Sequence, residues 1–70
     1  MCMENKFKDI LKDLRYERGI GQAELAKAIM VSNGIISLWE NGLREPSMTS
    51  LISLSKFFGV TIDYLVGLEQ

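Results

Sequence analysis

Helix-starting signals cut this chain at four places and leave little room for any element but short helices. Gly21, Ser32, Ser47 and Thr61 each suit an N-cap, the position where a side-chain oxygen or a bare backbone serves the first free amides of a helix. At three of them the residue before the cap is apolar and faces another apolar residue five positions on: Ile20 with Leu25, Val31 with Ile36, and Val60 with Leu65. That spacing is the hydrophobic staple, which fixes the angle at which a chain enters a helix. Glycines supply the stops. Gly19, Gly42 and Gly59 each follow an apolar-periodic segment, where a left-handed residue without a Cβ ends a helix at no steric cost. Pro46 restricts Glu45 and keeps "REPS" a loop. Between these marks the apolar residues keep the helical period, through Phe7, Ile10, Leu11 and Leu14 in the first segment and Met48, Leu51, Leu54 and Phe58 in the fourth. The run "LISLS" alternates briefly, but it lies inside a longer helical period, so strand pairing has no support. The pattern predicts an all-α fold: one compact domain of five short helices, with its core over about residues 7–68 and its second helix over roughly Gln22 to Ile29.

Composition removes whole classes of function. Seventy residues suffice for one domain, near the size where a lone core is only marginally stabilising. No apolar run approaches the length that spans a bilayer, and no signal-peptide core follows the start, so neither membrane insertion nor export is expected. The single cysteine, Cys2, cannot close an internal disulfide; it fits a reducing cytoplasm and reads as a bystander near the N-terminus, not as a redox thiol. With no histidine and no second cysteine, no zinc site is expected, and no nucleophile stands beside a base at a useful spacing. The expectation is therefore no metal, no cofactor and no enzymatic activity. A net charge of −1 and a pI near 5.3 argue against a broad basic footprint. The charges are unevenly placed, however. Residues 1–44 hold seven Lys and Arg against six Asp and Glu, whereas residues 45–70 hold only Lys56 against Glu45, Asp63 and Glu69. Any surface facing a polyanion must lie in the first part.

The connection between the second and third helices is about three residues, short enough that the two helices must cross steeply. Such a crossing needs a small residue at Ala26 and apolar plugs at Val31, Ile36 and Trp39. At this point the sequence resembles a family, the Cro/phage-repressor-type (Xre-type) helix-turn-helix proteins. The segments that carry the resemblance are "LRYERGIGQAELAKAI", "VSNGIISLWENGLREPS" and "LSKFFGVTIDYLVGL", which together cover about residues 7–68 without a gap. The resemblance implies a five-helix fold of phage-repressor type, with the motif formed by helices two and three. It implies double-stranded DNA as the partner, with helix three in the major groove and helix two bridging the backbone above it. Gln22, at the start of helix two, matches a phosphate-contacting position, as do Asn41 and Arg44 just past helix three. Lys27, also readable as a solvated charge, and Ser32 complete the candidate phosphate set. Arg15 and Glu40 match a pair that forms an ion pair beneath the motif.

Stepping 100° per residue along helix three puts Ile36, Trp39 and Glu40 toward the domain. Asn33, Gly34, Ser37 and Leu38 fall on the opposite arc with Ile35 at its border, and these five are the candidate base readers. The face is small, uncharged and partly apolar. Asn can make a bidentate contact to adenine, and Leu or Ile can pack on a thymine methyl, so the expectation is a preference for A/T-rich half-sites. Gly34 lets the backbone approach a base pair closely. The family has long polar or basic residues at several of these positions, and Gly34, Ile35 and Leu38 depart from that habit. Met30 departs too, standing in a turn where the family often has glycine and bearing a strain of about 1 kcal/mol there. One short helix reads few bases, so a homodimer on two-fold-related half-sites is expected, with Phe57, Tyr64, Val66 and Leu68 as candidate seam residues that could equally finish the core. A further C-terminal domain, as many relatives carry, is compatible with this chain. The leading expectation is a small cytoplasmic repressor. Its rival is a protein-interaction module on the same fold, an antitoxin or anti-repressor whose apolar helix-three face docks a protein.

Overall fold

The structure, a computed structural model, describes residues 6–68; Cys2 lies outside the described residues. Five helices follow one another: α1 over Phe7–Arg18, α2 over Gln22–Ile29, α3 over Asn33–Glu40, α4 over Met48–Phe58 and α5 over Ile62–Leu65. Among the described residues there is no strand. The stops lie where the glycines stand. Gly19 and Gly59 close α1 and α4 in the left-handed conformation, and Gly42 takes it just past α3. Ser47 and Thr61 cap α4 and α5 through their hydroxyls, which accept from the amides of Ser50 and Tyr64.

Each helix contributes one aliphatic side chain with no exposed surface: Leu11, Leu25, Ile36, Leu54 and Leu65. Phe7, Ala26, Ile29, Trp39 and Phe58 surround them, and the ring edge of Phe7 meets Trp39 at 6.0 Å. Val31, Ile20 and Val60, the residues before three of the caps, pack half-buried against this cluster. Ala26 is buried, and its carbonyl accepts from the amide of Val31 at 2.9 Å, which locks the turn from α2 into α3.

One expectation holds in place but not in bonding, and another needs correcting. Ser32 occupies the N-cap of α3 with extended backbone, yet its hydroxyl makes no cap bond; the contact is from the Ile35 amide to the Ser32 carbonyl. Met48 does not pack into the core. It stands at the first position of α4, before that helix reaches its neighbours, and its side chain is exposed. Met30 takes the left-handed conformation at φ 63°, alone in this among non-glycine residues in the description, with its side chain 90% exposed.

Candidate nucleic-acid interface

Three helices meet in one polar knot beneath the motif. Arg15 of α1 and Glu40, the last residue of α3, are both buried and lie side by side. Arg15 donates through Nε to Glu40 Oε2 at 2.6 Å and through Nη2 to Oε1 at 2.9 Å, a forked arrangement that fixes orientation as well as charge. Nη1 donates to the carbonyl of Ile20 at 3.0 Å, tying the pair to the segment that enters α2. Gln22, the first residue of α2, adds a bond from Nε2 to Glu40 Oε1 at 3.0 Å. Burial alone would raise the Glu40 carboxyl, but the bonds from Arg15 and Gln22 and the charges of Arg15 and Lys12 outweigh it and hold the group below its ordinary value. The bond to Glu40 likewise raises Arg15 against the opposing effect of burial.

Held this way, α3 buries Ile36, Trp39 and Glu40, and Ile35 packs against the same core. Asn33 and Gly34 are exposed, while Ile35, Ser37 and Leu38 are half-buried. A Cβ placed on Gly34 would meet nothing, so no packing inside the domain requires glycine there. Asn41 folds back on its own helix, donating from Nδ2 to the carbonyl of Ser37 at 2.9 Å and to its hydroxyl oxygen at 3.3 Å. Ser32, Lys27 and Arg44 are exposed around the ends of α2 and α3. Gln22 is half-buried, and the amide that bonds Glu40 carries a second hydrogen.

The structure also spends cations that the sequence leaves unassigned. Arg18 lies over the rings of Phe57 and Phe58 at 4.8 and 5.4 Å and donates to the Phe57 carbonyl at 3.1 Å, near the C-terminus of α4. Phe57 is thus half-buried under Arg18. Of the other seam candidates, Tyr64 is at the edge of exposure, Val66 is half-buried and Leu68 is exposed. Met48 and Ile52 add exposed apolar surface on α4.

The helix-turn-helix family profile matches residues 11–65. The chain belongs to the helix-turn-helix family. Among helix-turn-helix proteins it is 43% identical over 65 residues to the HTH-type transcriptional activator BcrR of Enterococcus faecalis, covering 93% of this chain and 32% of that protein. It is 37% identical over 61 residues to the cryptic phage CTXphi transcriptional repressor RstR of Vibrio cholerae, covering 87% of this chain and 55% of that one. The fold superposes on the P22 c2 repressor protein in complex with synthetic operator 9T with a TM-score of 0.82 at 34% identity, covering 96% of this chain and all of that one. This helix-turn-helix chain therefore spans between about a fifth and about half of the length of the curated relatives it matches. No helix among the described residues is long and apolar enough to cross a membrane.

Proposed function

We propose that the chain is a sequence-specific, non-enzymatic regulator of transcription that binds double-stranded DNA through α3. The observation that carries the reading is the buried Arg15–Glu40–Gln22 knot. It fixes the end of α3 against α1 and α2 while Asn33 and Gly34 stay free on the outer face. The likeness to a repressor bound to its operator supports the same docking. Asn33 serves as the main polar reader, a bidentate partner for adenine, and Ile35 and Leu38 pack against thymine methyls. Ser37 and the backbone at Gly34 complete the reading face. Phosphate is held by Gln22, Lys27, Ser32, Asn41 and Arg44, the side chains around the ends of α2 and α3. The protein acts in the cytoplasm as a homodimer on two-fold-related half-sites, joined through the C-terminal region at Phe57, Tyr64, Val66 and Leu68, and represses by covering a promoter. Selection from a random DNA pool tests this: A/T-rich half-sites should emerge, and the Asn33→Ala variant should lose the preference for adenine. G/C-rich half-sites would overturn the assignment of the base readers.

A second reading has its own observation. Ile35 and Leu38 give the outer face of α3 an apolar character suited to docking a protein, and the acidic pI agrees with it. No enrichment of any DNA sequence in the selection would favour that reading over the first.

A further inference from the structure

Resting on the DNA-binding reading, we infer that Lys8 of α1 is a phosphate-contacting residue, part of the same backbone clamp as Asn41 and Arg44. The observation is the way the Lys8 side chain crosses the turn after α3. A Cβ placed on Gly42 would lie 3.0 Å from Lys8 Cδ and 3.6 Å from Cε, so the lysine stem rests on that glycine. The left-handed backbone at φ 73° calls for glycine here, and the lysine stem fills the room its missing side chain leaves. Gly42 follows Asn41 directly and precedes Arg44 by two residues, so the stem ends beside the turn that carries both. Lys12 lies one turn further along the same face of α1, near enough to Glu40 to lower its carboxyl.

Helix length makes that flank a backbone site. Eight residues of α3 extend about 12 Å, which is also the width of the major groove. With the first turn of α3 at the base edges, the helix runs out of groove at its C-terminal end and meets the phosphate wall there. The other cations are placed differently. Arg15 is committed to Glu40, and Arg18 to the rings and carbonyl at the end of α4. Lys56 lines a groove between α2 and α4 with Ala28, Ile29, Met30, Ser53 and Phe57. The neighbour of Lys8 on α1, Asp9, is 3.8 Å from its ammonium, but both are well exposed and such a pair yields readily to a phosphate.

The alternative role for Lys8 is local, a cation near the negative end of α3 that helps the fold and touches no ligand. Titrating binding against salt on the selected DNA separates the two. Replacing Lys8 with Gln should lower the magnitude of the log–log salt slope by about 0.9 per half-site, and Lys8→Arg should restore it. Lys56→Gln should leave the slope unchanged. If the protein binds DNA and Lys8→Gln keeps the parent slope, the assignment of Lys8 is overturned while the DNA-binding reading stands. Equal losses for Lys8→Gln and Lys56→Gln would also overturn it, since the effect would then be one of overall charge. A parent protein that binds no DNA brings down both.

Discussion

Two residues hold unfavourable backbone choices in plain view. Met30 pays for a left-handed turn with a side chain that buries almost nothing. Met30→Gly should relieve that strain, offset in part by the added freedom of the unfolded chain, for a net gain of up to about 0.5 kcal/mol in urea unfolding. A loss on substitution would mean that the exposed methionine makes a contact within the fold. Gly34 presents the reverse case. It sits in a helix where an added methyl meets no neighbour, so Gly34→Ala should stabilise the domain by up to about 1 kcal/mol. The same change should weaken DNA binding, because the methyl stands where α3 would come closest to a base pair. Rising stability with falling affinity is the expected pair of results, and unchanged affinity would remove Gly34 from the reading face.

At the scale of elements, the junction of α1, α2 and α3 depends on one carboxylate. Glu40→Gln leaves Arg15 buried without its charge partner, which should cost about 3–5 kcal/mol, enough to unfold much of a domain this small. The pH dependence has a definite sign. Because the folded protein holds Glu40 below its ordinary value of 4.5, the contribution of the pair is complete above that pH and fades as acid carries the solution down through the lower folded value. Thermal melts between pH 7 and 3 should show this loss in the parent, and Glu40→Gln should be flatter in the same window. These junctions also mark how far the sequence could be read. The caps at Ser47 and Thr61 and the stops at Gly19 and Gly59 were legible because their physics is local. Ser32 holds its cap position without a side-chain bond, and Met48 leaves the core, for the complementary reason: a residue of the right type and place says nothing about whether its side chain turns toward the helix or the core. The bond from Gln22 to Glu40, the fold-back of Asn41 and the path of Lys8 over Gly42 depend on side-chain directions that follow only from how the helices pack.

At the scale of the molecule, charge sets the style of binding. The chain carries a net charge of −1, so on the proposed function attraction to DNA would come from a few placed cations and not from a general field. On the proposed dimer, Lys27 and Arg44 alone would give four cationic contacts and a salt slope near −4, and Lys8 from each half would steepen it to between about −5 and −6. A slope near −8 in a salt titration would reveal a basic surface that none of these residues supplies. Assembly is testable on the same footing: Leu68→Glu, at an exposed seam position, should shift sedimentation toward monomer and make DNA binding less steep in protein concentration. A parent protein that sediments as a monomer at high micromolar concentration would remove the seam.

The five fully enclosed side chains, one from each helix, have a consequence for motion. No helix can detach without pulling its own aliphatic out of the common cluster and leaving a void among the other four. The amides of α3 should therefore exchange with deuterated solvent only by the same global opening that exposes those of α1 and α4, apart from the fraying last turns. On the proposed function, an α3 that shares its opening event with the whole domain would arrive at DNA already ordered, and binding would carry no folding cost of its own.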